Sequence, residues 1–281
     1  MNLTRSIRPW SWWGAWSLAL GASAARLEVE ILPRFEGAPL VFDSLTYCTA
    51  AGQVISVTRL DFLVSNFALQ RSGGSWLVLS DKQAYLSARE GRCQFVLPNI
   101  PIGRYERVRF LVGLTRDVNR REPSQYGADH PLNPNVNGLH WGWQGGYVFL
   151  ALEGDWRDGA TDRGYSFHVA NEPQLMTVEL PAPIEVTSAH LLRFTLDIGH
   201  IFAAPHCITL AQNSSTSHSR TNDILAAQLR ENIEQAFAIE SIAPTHLSET
   251  NPAPAAPLVA SNAMRLVRCT KLRIPFFTFL P

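Results

Sequence analysis

From residue 26 onward the chain is built of short runs in which apolar and polar residues alternate, each closed by glycine, proline or serine. A period of two puts successive side chains on opposite faces of an extended backbone, so the pattern favours β structure and disfavours helix. Leu27, Val29 and Ile31 alternate with Arg26, Glu28 and Glu30, giving one apolar and one charged face. Similar runs predict strands over 54–69, 76–80, 104–114, 147–153, 165–169, 176–180 and 191–198. Ser72-Gly73-Gly74, the stretch from Pro98 to Gly103, and Pro181-Ala182-Pro183 read as the punctuation between them. Many short strands of this kind bury their apolar faces by packing as two sheets or closing as a barrel. The expected fold is all-β, a β-sandwich-like single domain with long loops and one helix in its C-terminal half. That helix is expected after Thr221-Asn222-Asp223, which can cap it, where Leu225, Leu229, Ile233 and Phe237 recur every four residues.

The ends of the chain read differently. Residues 1–13 carry Arg5 and Arg8 and no acid, and Gly14 to Ala22 is apolar but shorter than the roughly 20 residues that a bilayer span needs. Ala22-Ser23-Ala24 then has the small-residue form of a cleavage site, so residues 1–24 are expected to be a signal peptide. No later segment is long enough to span a membrane, and the expected location is periplasmic or secreted. In an oxidising compartment the cysteines Cys48, Cys93, Cys207 and Cys269 permit two disulfides, with three connectivities open. No C-x-x-C spacing points to a thiolate zinc site or to redox chemistry of the thioredoxin kind. Basic and acidic residues balance at 24 each and form no basic stripe, which argues against nucleic acid as a partner. Residues 241–281 read as a Pro-rich linker followed by an apolar tail.

The chemistry-bearing residues cluster where the strand pattern lapses. From Arg116 to Gly146 aliphatics are sparse, yet Tyr126, His130, Trp141 and Trp143 are costly to leave in water, and long aromatic loops usually carry function. No G-x-S-x-G elbow, P-loop or G-x-G-x-x-G is present. His140 directly precedes Trp141-Gly142-Trp143. In Tyr165-Ser166-Phe167-His168-Val169 the three apolar residues share one strand face and His168 takes the other. If the flanking strands pair as a hairpin, His140 and His168 meet at one end of a sheet. Neutral imidazole suits copper and zinc, although each histidine can equally be surface or core filler, and the two tryptophans can simply pack the core. His200, His206, His218 and His246 are further candidates, while His190 is expected at the surface. Glu153 and Asp155 admit a hydrolytic reading but have no visible acid–base partner.

The string Arg59-Leu60-Asp61-Phe62-Leu63-Val64-Ser65-Asn66-Phe67-Ala68-Leu69 resembles the R-L-x-Y-x-x-S-x-F-x-L block of MbnP-like, methanobactin-associated secreted proteins. Leu132-Asn133-Pro134, Trp141-Gly142-Trp143-Gln144-Gly145-Gly146-Tyr147, Leu152-Glu153-Gly154 and Phe167-His168-Val169 follow in that family's order, and Thr216-Ser217-His218-Ser219 also resembles its members. The resemblance covers residues 26–240 as one β domain. It implies a periplasmic or extracellular copper-binding protein with no turnover of its own, holding one ion, Cu(I) or Cu(II). In such proteins the metal is held by histidines and by a kynurenine made from a tryptophan. The implied partner is a di-haem cytochrome c peroxidase-like enzyme that performs the oxidation. Carried onto this chain, His168 matches the F-H motif and Trp141 or Trp143 is the residue for oxidation, so the expected metal set is His168, His140, Trp143, Trp141 and His130. Ala170 stands where the family often has glycine. Ring opening of an indole exposes an aryl amine, a donor that tryptophan lacks, and Glu153, Asn171 and Gln144 are within reach to fix imidazole tautomers. The competing reading is a non-enzymatic β-sandwich module whose aromatic loop stacks on a glycan or peptide.

Overall fold

In the computed structural model, which describes residues 24–142 and 145–245, the alternating segments become strands of two facing sheets. The long strands are β1 (Ala24–Phe35), β2 (Arg59–Arg71), β3 (Trp76–Ser87), β4 (Gln94–Pro101), β5 (Gly103–Val112), β6 (Gly146–Asp158), β7 (Thr161–Ala170), β8 (Met176–Val186), β9 (His190–Asp197) and β10 (Phe237–Pro244). The smaller sheet runs β10-β9-β1, with β4 along the other side of β1; β1 and β9 are parallel and the remaining pairs antiparallel. The larger sheet runs β8-β5-β2-β6-β7, with β3 also paired to β2. The all-β sandwich expected from the period-two pattern is therefore the fold.

The sheets meet through aromatic side chains contributed by both. Phe110 of β5 lies 5.9 Å from Phe67 of β2 and, edge-on, 5.4 Å from both Phe194 of β9 and Phe237 of β10. Burying each such ring contributes about 1.5–3 kcal/mol, with edge-to-face packing adding to it. His190, expected at the surface, is buried: it begins the inward-facing series His190, Leu192, Phe194, Leu196, and its Nδ1 is 2.9 Å from the Ser188 carbonyl.

Two proline-rich stretches read as turns lie inside strands. Pro98, Asn99 and Pro101 belong to β4, and Pro181-Ala182-Pro183 belongs to β8. Each strand borders its sheet among the described residues, where a missing N–H leaves no partner unpaired. Register shifts between Pro181 and Ile184 and opposite Leu97 to Ile100, where Asn99 has φ 59°, absorb the irregularity.

Two helices pack beside the sandwich: α1 (Ile198–Ala203), capped by Asp197, and α2 (Ile224–Gln235), capped by the Asp223 carboxylate accepting from Ala226 N at 3.0 Å. Leu229 and Ile233 are fully buried as the four-residue spacing required, whereas Phe237, the last of that series, already belongs to β10. β10 continues past residue 240 to Pro244. The expected signal peptide, up to residue 23, and the tail from residue 246, with Cys269 and His246, lie outside the described residues. Cys93 and Cys207 are free thiols, so a framework that uses all four cysteines in two disulfides is not formed.

Gly154 lets two backbones approach. A Cβ there would lie 2.1 Å from the Ser56 carbonyl oxygen, which also accepts the Tyr165 hydroxyl at 2.8 Å. Gly154→Ala should therefore lose about 1–3 kcal/mol or more, read as a lower urea midpoint. Gly73→Ala, in open space, should stay within about 0.5 kcal/mol of the parent; equal midpoints for the two variants would contradict this packing.

Candidate metal centre

The outer face of the large sheet gathers polar residues in two lateral rows. Cross-strand pairing aligns Arg59 of β2 with Glu153 of β6, Glu153 with Ser166 of β7, and Ser166 with Thr216. One step along, Asp61 aligns with Ala151 and Ala151 with His168. Directly opposed residues share a sheet face, and the alternate residues Leu60, Leu152 and Phe167 turn into the core. A short parallel ladder, Ser166 with Thr216 and Phe167 with Ser217, brings a distant segment against β7. Continued by one residue, that register sets His218 beside His168.

The two imidazoles converge. His168 Nδ1 and His218 Nδ1 are 3.2 Å apart, with ring centroids 5.1 Å apart. His168 Nε2 donates to Glu153 Oε1 at 2.8 Å, with Ser166 Oγ at 3.2 Å from the same nitrogen. With its proton held on Nε2, His168 presents an Nδ1 lone pair, and His218 Nδ1–H donates to it. Nitrogen donors about 2.0 Å from one ion lie roughly 2.8–4 Å apart, so replacing the shared proton by a cation fits the spacing. Trp141 completes the cluster edge-on, its ring 6.0 Å from His168 and 6.1 Å from His218. Among the described residues no group of three or more His, Cys, Asp and Glu side chains gathers where it could hold a metal ion.

Local structure fixes this geometry. Ser219, at φ 51°, donates its hydroxyl to the His168 carbonyl at 3.0 Å and accepts from Ala170 N at 2.9 Å, clamping the His218 segment to β7. Asn171, one of the residues expected to orient an imidazole, instead donates to the Ser219 carbonyl at 2.8 Å. Ala170 itself is ordinary strand; the left-handed backbone falls on Asn171, at φ 71°. The loop before β6 is pinned by buried amides: Asn119 Oδ1 accepts from Tyr147 N at 2.8 Å, and Asn137 donates to the Pro131 carbonyl at 2.7 Å.

Of the residues expected at the metal, His168 and Trp141 are brought together and His140 and His130 are not. In the ladder pairing Trp141 with Gly146 and His140 with Tyr147, neighbours point to opposite sides. Trp141 faces the pair, so His140 is turned away, edge-on to Tyr147 at 4.8 Å. His130 stacks on Tyr126 at 4.5 Å and accepts from Leu132 N at 3.0 Å. Trp143 and Gln144 lie outside the described residues. His218, only a lesser candidate from sequence, takes the place expected for His140. Its neighbourhood in the Thr216-Ser217-His218-Ser219 string was the available signal.

Charge at the site is set by its surroundings. Burial pushes the Glu153 carboxyl up, but the hydrogen bond from His168 and the charge of Arg59 outweigh it and hold the group below the usual carboxylate range. Burial, then the neighbouring His168 and Arg220, lowers the His218 pKa. Burial also lowers His130 and His140, in the latter against the opposing pull of Glu122.

Fold and site together define a class: a β-sandwich whose larger sheet presents a paired imidazole and an indole on its outer face. More specifically, the chain belongs to the MbnP family, whose model matches residues 24–221. Among solved structures it is similar to MbnP from Methylosinus trichosporium at 15% identity over 79% of this chain and 99% of that one, with a TM-score of 0.54, a likeness of fold. No curated protein matches. Within the described residues no helix is long and apolar enough to cross a membrane.

The depressed histidines fix the sign of a pH effect. Below the ordinary imidazole pKa of about 6.5 the unfolded chain takes up protons that His130, His140 and His218 in the folded chain still refuse, so stability falls as pH falls. The metal-free protein should melt at a lower temperature at pH 5.5 than at pH 7.5, and a melting temperature flat across that window would refute the assignment.

Proposed function

We propose that this chain is an exported copper-binding protein that holds one copper ion, Cu(I) or Cu(II), through His168 and His218 and performs no turnover of its own. The observation that carries the reading is the convergence of two Nδ1 atoms to 3.2 Å, with one indole equidistant from both rings. Imidazole pairs favour late first-row metals, of which copper binds most strongly. The carboxylate behind His168 is the arrangement that orients a metal-ligating histidine and raises its basicity. Half-burial of His168, His218 and Trp141 leaves the site open to metal entry.

The tryptophan oxidised is Trp141. Two molecules of hydrogen peroxide, activated at a di-haem cytochrome c peroxidase-like partner, each give one oxygen atom to the indole and leave as one water, so that the C2–C3 bond is cleaved to N-formylkynurenine; hydrolysis by a further water then releases C2 as formate and leaves kynurenine. The aryl amine so formed is a third nitrogen donor that the unmodified indole cannot provide, because indole N–H only donates. Secretion to the periplasm or beyond would bring the chain to such a partner.

Protein coexpressed with the haem partner should retain one equivalent of copper. Its mass change, gain of one oxygen and loss of one carbon, should be confined to the peptide containing Trp141. His168→Gln and His218→Gln should each weaken copper binding by at least about tenfold, while His130→Gln and His140→Gln should leave it unchanged, as measured by chelator competition. Equal losses in all four variants, or copper retained in the His168 and His218 variants, would remove this function.

A further inference from the structure

We propose that Arg59 is a positioning residue that acts through Glu153 to bias the imidazole pair towards Cu(I) over Cu(II); the inference rests on the copper reading above. Arg59 opens the R-L-x-x block of the sequence, which the fold places opposite Glu153. Its Nη1 donates at 3.0 Å to Glu153 Oε1, the same oxygen that accepts from His168 Nε2 at 2.8 Å. Its Nε is held by Asp61 Oδ2 at 2.6 Å. The guanidinium is thus fixed from both ends in a line Asp61–Arg59–Glu153–His168–His218. Their side chains are 10% exposed at Asp61, 33% at Arg59, 30% at Glu153 and 18% at His168, so solvent and salt screen the line only partly.

The electronic consequence follows from the shared oxygen. A carboxylate that accepts an imidazole N–H draws that proton towards itself and makes the opposite ring nitrogen a more basic, more anionic donor. Such a donor stabilises the more highly charged metal ion. Arg59 competes for the same lone pairs and, being permanently protonated, withdraws negative charge from Glu153. His168 Nδ1 is therefore closer to a neutral imidazole than a carboxylate-backed histidine would otherwise be, which favours the less charged ion. Glu153 retains enough attraction to fix the tautomer, and Arg59 limits how far it polarises the ring. An Arg59 that served only to pin β2 to β6 would, when removed, weaken both oxidation states alike.

The test is the ratio of Cu(I) to Cu(II) affinity, from competition with bicinchoninate for Cu(I) and with nitrilotriacetate for Cu(II). Arg59→Met, and Arg59→Met with Asp61→Asn so that no carboxylate is left unpaired, should shift the ratio towards Cu(II) by about tenfold or more. Arg59→Lys, which keeps the charge, should stay close to the parent, and Glu153→Gln should move the ratio the other way. In the metal-free protein the His168 Nε2–H resonance should move further downfield in Arg59→Met as its hydrogen bond to Glu153 strengthens. An unchanged ratio in the Met variants, with copper still bound, would overturn the role of Arg59 and leave the copper site standing. A parent protein that binds neither ion would overturn both.

Discussion

The site depends on a very short piece of parallel pairing. Ser166 with Thr216 and Phe167 with Ser217 are the whole ladder, yet they set the height at which His218 stands beside β7. Parallel alignment makes the next residues, His168 and His218, lateral neighbours on one face, where their Nδ1 atoms reach 3.2 Å. A shift of one residue would turn His218 to the opposite face. The Ser219 hydroxyl, bonded to both the His168 carbonyl and the Ala170 amide, holds the register against such a slip. That the residues on either side of this clamp, Ser219 and Asn171, take positive φ fits the tendency of strained backbone to collect where geometry must be held.

Division of labour between the two faces of the large sheet explains how such a site can exist without weakening the fold. Inward residues of the same strands, Leu60, Phe62, Leu150, Leu152 and Phe167, sit in the core with the aromatic cluster of Phe110, Phe194 and Phe237 and carry the hydrophobic stabilisation. Outward residues contribute far less to stability, since partly exposed ion pairs are each worth about 0–1 kcal/mol. Arg59, Asp61, Glu153 and His168 are therefore free to be arranged for electrostatics. The small Ala151 between Asp61 and His168 adds no bulk to the row that carries the imidazole.

Preorganisation extends to the aromatic loop. Its polar backbone is satisfied by buried Asn119 and Asn137, and the buried Tyr147 hydroxyl donates to the Leu132 carbonyl, so Trp141 arrives at the imidazoles on a folded support. Charge at the pair is graded: Asp61 holds Arg59, Arg59 tempers Glu153, and Glu153 orients His168. In a half-buried row each of these contacts is stronger at its distance than it would be in bulk water, because solvent is displaced from one side.

Local pattern was sufficient for much of this. Period-two alternation specified a sandwich of short strands, though not β4 or β10, the Asp223 cap with its four-residue spacing specified α2, and the parity of Phe167-His168-Val169 specified that His168 faces outward. Tertiary structure alone decided the rest. His218 lies 50 residues from His168, and nothing in local periodicity encodes a two-residue parallel bridge over that distance. His140 is turned away from the pair because adjacent strand residues diverge and Trp141 takes the direction of the imidazoles, a choice made by the pairing with Gly146 and Tyr147. The prolines of β4 and β8 read as turns because propensity takes no account of sheet position, whereas at a sheet border the missing donor costs nothing. Sequence by itself determined which residues of a predicted strand share a face, because that is a property of the backbone repeat. Which faces meet was decided only by the register between strands far apart in the chain.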